Sequence, residues 1–119
     1  MPELPEVQTV ADYIKPDLIG KNILNIEPLW KKVLHNFKPG DIKGKHKIKN
    51  VTRRAKFIII ELDNIILAIH LRMTGKLYLI KDKKLPKHAS AIIYLENSNN
   101  LIFEDTRKFG RIYMYKDLT

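Results

Sequence analysis

Phe57-Ile58-Ile59-Ile60-Glu61-Leu62-Asp63-Asn64-Ile65-Ile66-Leu67-Ala68-Ile69-His70-Leu71 decides the fold. Two apolar, β-branched runs flank Asp63-Asn64, two residue types that tolerate φ > 0, so the stretch reads as two antiparallel strands joined by a tight hairpin turn. The runs at 57–60 and 65–69 are continuous rather than alternating, which implies strands covered on both faces. A two-layer β-sandwich with one flanking helix supplies that cover. Outward from the hairpin, short runs at 23–28, 33–37, 47–52, 56–62, 65–71, 76–80, 91–96, 101–105 and 111–115 read as strands. Asn97-Ser98-Asn99-Asn100 reads as a second turn, and the polar segment 81–90 as a loop. Val7, Val10, Ala11, Ile14 and Leu18 recur at helical spacing, giving an amphipathic helix over 5–18 with Pro5 in its first turn and Pro16 near its end. The fold expected is mainly β with one N-terminal helix, in a single domain without repeat or linker.

Composition narrows the function classes. The 119 residues suffice for one core, and no apolar run approaches the roughly 20 residues of a membrane span. The start is not a signal peptide, so a cytoplasmic location is expected. The chain has no cysteine, which excludes disulfides and a thiolate zinc site within it, and its four histidines lack metal-ligand spacing. The net charge of +9 is unevenly spread. Residues 1–30 hold two basic and five acidic side chains, whereas 31–60 hold ten basic and one acidic. The block Lys43, Lys45, Lys47, Lys49, Arg53, Arg54, Lys56 is a footprint suited to a polyanion, with a solvated lysine face as the competing reading.

The chemistry concentrates in Met1-Pro2-Glu3-Leu4-Pro5-Glu6-Val7-Gln8-Thr9. Removal of Met1 exposes the secondary amine of Pro2 beside two carboxylates. An α-amino group titrates near 7.7–8.0, so roughly a tenth is neutral at pH 7, against well under about a thousandth of lysines. A neutral secondary amine that attacks an aldehyde-level carbon gives a cationic iminium, and a neighbouring carboxyl can carry the protons. Prolines and acids before an apolar run also describe an ordinary helix N-terminus.

Three further words accompany this one: Arg53-Arg54-Ala55-Lys56, His70-Leu71-Arg72-Met73-Thr74-Gly75 and Asp105-Thr106-Arg107-Lys108-Phe109-Gly110. Together with PELPEV, in this order and near this spacing, they resemble the bacterial formamidopyrimidine-DNA glycosylase family, Fpg or MutM, over essentially the whole chain. The resemblance implies the two-layer β-sandwich of the family's N-terminal domain. It also implies a bifunctional glycosylase and abasic-site lyase for oxidised purines such as 8-oxoguanine and formamidopyrimidines. Pro2 would be the nucleophile, Glu3 the proton carrier, Glu6 an orienting group and Lys56 the lysine that reaches the damaged nucleotide's phosphate.

Met73, Arg107 and Phe109 would fill the gap left by the extruded base, as an apolar wedge and a guanidinium suited to an orphaned partner base. Met73 and Phe109 could instead be core residues, and the flanking glycines simple turn residues, but Arg72, Thr74, Arg107 and Lys108 surround them with polar loop. His88 and His70 would contact phosphate, with loop or structural roles as alternatives; Lys108 completes the expected DNA-binding set. The chain has Lys87-His88-Ala89-Ser90 where the family commonly has K-H-D-H, Asp105-Thr106-Arg107-Lys108 for D-P-R-R, and Gln8 for a glutamate.

Family members continue into a helical domain with a four-cysteine zinc finger, which this sequence does not contain. Zinc is therefore expected only in that second domain, and no cofactor here. The expected partner is double-stranded DNA bearing oxidised purines or abasic sites, bound by a monomer without a membrane. A non-catalytic damaged-DNA-binding module of the same fold and a basic RNA-binding β-domain are the rival readings.

Overall fold

The computed structural model of the chain describes residues 4–42, 44–81, 85–96 and 99–116. The central hairpin forms as its sequence dictates. Strands β4 (Phe57–Glu61) and β5 (Ile66–His70) pair antiparallel with Ile59 opposite Ala68. Ile58, Ile60, Leu67 and Ile69 join the core, while Ile59 and Ala68, on the alternate face, are still only 2% and 4% exposed. The expected tight turn forms at Asp63-Asn64, with Glu61 opposite Ile66 and Leu62 N–H bonded to the Ile65 carbonyl at 2.9 Å, though both turn residues keep negative φ.

β3 (Asn50–Arg54) and β9 (Arg111–Tyr115) complete a four-stranded sheet in the order β3-β4-β5-β9. β1 (Asn22–Pro28), β2 (His46–Lys47), β6 (Gly75–Ile80), β7 (Ala89–Leu95) and β8 (Asn100–Asp105) form the second sheet, ordered β2-β1-β7-β8-β6. Between them lie Ile23, Ile26, Ala91, Ile93, Leu101, Phe103 and Ile112, all fully buried. The single helix, α1 (Leu4–Leu18), packs on β3 and also reaches β4 and β6. It closes one side with Val7, Ala11, Ile14 and Leu18, none more than 1% exposed. Val7, Ile14 and Leu18 each contribute on the order of 1.5–3 kcal/mol by leaving water, which anchors the chain's N-terminal segment to a rigid body.

Two expected strands are corrected. The segment 33–37 makes one parallel bridge, Leu34 to Ile112, and no strand. Val33 and His35 exchange backbone hydrogen bonds with Ile112, but beyond them the Asn36 carboxamide takes over, accepting from Met114 N–H and donating to its carbonyl. Lys38-Pro39 then begins a short 3-10 turn, where proline's missing N–H prevents a continued ladder. The run 47–52 divides between sheets, β2 to one and β3 to the other. Segment 81–90 is likewise shorter as a loop, because Ala89 and Ser90 already belong to β7. Of the expected turn at 97–100, residues 97 and 98 lie outside the described residues, and Asn100 opens β8.

Candidate nucleic-acid interface

Strand directions collect the chemistry at one end of the sandwich. β3, β5 and β8 end there, and β4, β6, β7 and β9 begin there. The loops after β5 and after β8 both cross from one sheet to the other at this end, so they span the mouth of the sandwich. They carry Met73 and the Arg107–Phe109 segment.

Both apolar tips project outward: Met73 is 49% exposed and Phe109 44%. The core alternative is thereby excluded for both. Arg107 stands between them, with Nη1 3.9 Å from Met73 Sδ and its guanidinium carbon 5.0 Å from the Phe109 ring centroid. A cation over an aromatic face is weakly attracted even in water, so the three form one cluster. Neither flanking glycine serves a positive-φ turn. A Cβ on Gly75 would lie 2.3 Å from the Leu71 carbonyl oxygen, and one on Gly110 2.2 Å from the Phe103 ring. Close packing under the loops requires glycine at both places.

Asp105 is the residue the sequence reading passed over. Its carboxylate is 1% exposed. Oδ2 accepts from the N–H groups of Phe109 at 3.0 Å and Gly110 at 2.7 Å. Oδ1 accepts from Arg107 N–H at 3.1 Å and from the Thr74 hydroxyl. On the carbonyl side of the same loop, Arg111 Nη1 donates to Lys108 O at 3.0 Å and Gly110 O at 2.8 Å. Lys108, expected to face DNA, folds back with Nζ 4.9 Å from the Trp30 ring centroid. The available signal for Asp105 was its position, a carboxylate closing a buried strand immediately before a glycine loop.

His70 ends β5 on the outward face of its sheet, edge-on to Phe57 at 4.7 Å. Its Nδ1 accepts the Arg72 N–H at 3.1 Å, which leaves Nε2 as the protonated nitrogen. Burial, then the charges of Arg72 and Lys56, hold its pKa below the usual 6.5, so it is neutral at pH 7 and can act as a donor without charge. Lys56, in the β3–β4 turn, is exposed. Arg53 beside it donates to the Gln8 side chain of α1 at 3.1 Å and to the Ala55 carbonyl at 2.8 Å. His88 is half-buried, and its carbonyl accepts from Asp105 N–H at 3.0 Å, tying a third loop to the mouth.

Glu6, in the first turn of α1, is exposed and shares a cavity of about 340 Å³ with Val10, Leu71, Met73 and Thr74. The helix N-terminus and the Met73 loop therefore open into one space. Pro2 and Glu3 lie outside the described residues. A larger cleft, about 600 Å³, runs along Pro28–Asp41 but gathers none of these groups. Among the described residues, no group of three histidines and carboxylates converges as a metal site.

Lys43 lies outside the described residues, and the described members of the basic block at 43–56 do not form one face. Arg53, Arg54 and Lys56 stand at the mouth, whereas Lys47 pairs with Asn22 at the opposite end and Lys49 N–H bonds the Glu61 carbonyl there. Lys45, together with Lys21, lies near Glu96 at that same end and helps hold its carboxyl below the usual range, after the Asn22 hydrogen bonds that lower it most.

Residues 1–112 match the family model described as the formamidopyrimidine-DNA glycosylase N-terminal domain. A formamidopyrimidine-DNA glycosylase of Protochlamydia amoebophila is 41% identical over 99% of this chain and 45% of its own length. One from Rickettsia canadensis is 42% identical over 98% and 44%. Among solved structures, Lactococcus lactis Fpg (MutM) in complex with Fapy-dG-containing DNA superposes with a TM-score of 0.87 at 31% identity, covering 95% of this chain and 44% of that one. MutM with carbocyclic 8-oxo-G-containing DNA gives 0.87 at 32%, covering 96% and 44%. The chain thus spans less than half the length of the relatives it matches. The match of sequence and fold places the chain in the formamidopyrimidine-DNA glycosylase family.

Proposed function

We propose that this chain acts in base-excision repair of DNA, removing oxidised purines and cleaving the resulting abasic site through a Pro2 Schiff base. The observation that carries this reading is the common cavity of Glu6 and the Met73 loop, which brings the start of α1 to the loops that would enter the duplex. With Met1 removed, the Pro2 nitrogen attacks C1′ of the damaged nucleotide and the base departs with a proton. Glu3 delivers a proton to O4′ as the C1′–O4′ bond opens, which leaves the cationic iminium on C1′, and Glu6 orients the site. The iminium acidifies C2′; loss of that proton expels the 3′ phosphate by β-elimination. Lys56 and His70 hold backbone phosphate, with His88 as a further contact. Met73, Arg107 and Phe109 occupy the space left by the extruded base, offsetting an unstacking cost of a few kcal/mol.

Complexes of relatives with Fapy-dG, abasic-site and 8-oxo-G DNA support that substrate class. Zinc belongs to the second domain of full-length relatives rather than to this one, and this domain works as a monomer at the bacterial nucleoid. The rival is a damaged-DNA-binding module of the same fold without catalysis. Borohydride reduction with an abasic-site duplex decides between them. A covalent adduct at residue 2 is expected when Met1 is absent and none when it is retained. Binding of the duplex with no adduct from the Pro2 terminus would leave the binding module standing.

A further inference from the structure

We propose that Asp105 is a positioning residue that locks three loops of the mouth into one unit, so that Met73 and the Arg107–Phe109 segment enter a duplex together rather than separately. The proposal deepens the reading above and rests on it for the DNA step alone. Asp105 touches every loop concerned. Its carboxylate takes Thr74 from the Met73 loop and the Arg107, Phe109 and Gly110 amides from the second. Its own N–H bonds the His88 carbonyl of the third. Four donors converge on a carboxylate that is 1% exposed, and charge-assisted bonds of this kind are roughly twice as strong as neutral ones.

The loops depend on that anchor. Arg72 and Lys108, one in each crossing loop, hold φ of 59° and 58°, conformations that non-glycine residues adopt at a cost and keep only where the surroundings fix them. The β6–β8 ladder holds the bases of the two loops together at its last pair, Gly75 opposite Asp105; beyond that pair Met73 and Phe109 are exposed, with Arg107 beside both. Thr74 to Asp105 is the side-chain hydrogen bond that joins the two loops at their base.

Thr74→Val removes this link while keeping the side chain's shape, and Thr74→Ser restores the hydroxyl. In the free full chain, amide hydrogen exchange read by NMR should be about tenfold faster at Arg107, Phe109 and Gly110 in Thr74→Val, near wild type in Thr74→Ser, and unchanged in β7. Unchanged exchange in the 107–110 loop, or an equal rise in β7, overturns the proposal. Asp105→Asn is the second variant, expected to release the amides and Thr74 together. With an abasic site, borohydride trapping by Thr74→Val should fall about tenfold in duplex and stay near wild type in single-stranded DNA, where no stack must be entered. An equal fall on both substrates would mark a general structural defect and also overturn it. Absence of trapping in the wild-type chain would sink the Pro2 chemistry alone, since the exchange measurement involves no DNA.

Discussion

The two ends of this sandwich are built from the same strands and differ in almost everything else. At the mouth, three non-glycine residues, Ala55, Arg72 and Lys108, hold positive φ, and Arg54, Lys56, Arg72, Arg107 and Lys108 are exposed. At the opposite end, the 61–66 connection keeps negative φ, and Asp63 and Glu96 are matched by His46 and Asn22. Irregular backbone costs free energy and persists where something else requires it. The contrast separates an end with positive-φ, cation-bearing loops, to which the proposed DNA contacts are assigned, from an end whose acidic side chains are matched within the fold.

Gly110→Ala should produce the largest effect. The added Cβ overlaps Phe103 beneath the mouth, and overpacking of this kind costs about 1–3 kcal/mol, readable as a lowered urea midpoint. A melt indistinguishable from wild type would mean that the loop is not seated on the core as described. Phe109→Ala and Arg107→Ala should behave in the opposite way. Both side chains are exposed, so stability should change by no more than about 0.5 kcal/mol. Affinity for an abasic-site duplex should drop roughly ten- to hundredfold, the range of about 1–3 kcal/mol for one specific contact. Competition binding against undamaged duplex measures it.

Lysines at the two ends separate the polyanion reading from mere lysine richness. Lys56→Ala at the mouth should reduce the slope of log affinity against log salt by about 0.9, one phosphate. Lys47→Ala at the far end should leave it unchanged. Equal effects would erase the distinction between the ends.

His70 supplies a smaller, pH-dependent test. Its pKa is lowered in the folded chain, by burial first and then by Arg72 and Lys56, so the unfolded chain binds more protons and stability rises with pH across that window. The contribution is present above the ordinary value of 6.5 and is lost as the pH falls through the lowered one. His70→Gln should flatten the stability profile on the acid side of 6.5. The smallest effect belongs to Asp63→Asn at the hairpin end. Its partner His46 is 3.4 Å away and Asp63 itself is exposed, so the change should stay within about 0.5 kcal/mol and leave DNA binding alone.

Much of this arrangement is legible in the sequence, for physical reasons. The 57–71 stretch carries its own instructions, because a continuous apolar run on both sides of a polar pair has few other ways to bury itself. The amphipathic spacing of Val7, Ala11, Ile14 and Leu18 does the same for α1. The passage from β2 to β3 is hidden, since the sheet a strand joins depends on distant partners rather than on its own pattern. Val33-Leu34 looks like a strand because it touches one, and only the Asn36 side chain reveals that the backbone leaves. At the mouth, exposure of Met73 and Phe109 follows from their polar neighbours. The Asp105 anchor and the Lys108–Trp30 contact do not, because both join residues more than thirty positions from their partners, Thr74 and Trp30.

The bracket that Asn36 forms on Met114 has a consequence for the molecule among its own kind. β9 is the last strand of its sheet, and an open strand edge is a template on which another chain can grow by backbone pairing. The Leu34 bridge and the Asn36 carboxamide occupy the hydrogen-bonding groups of Ile112 and Met114 along that edge. The segment that fails to become a strand thereby guards the sheet against strand-by-strand polymerisation.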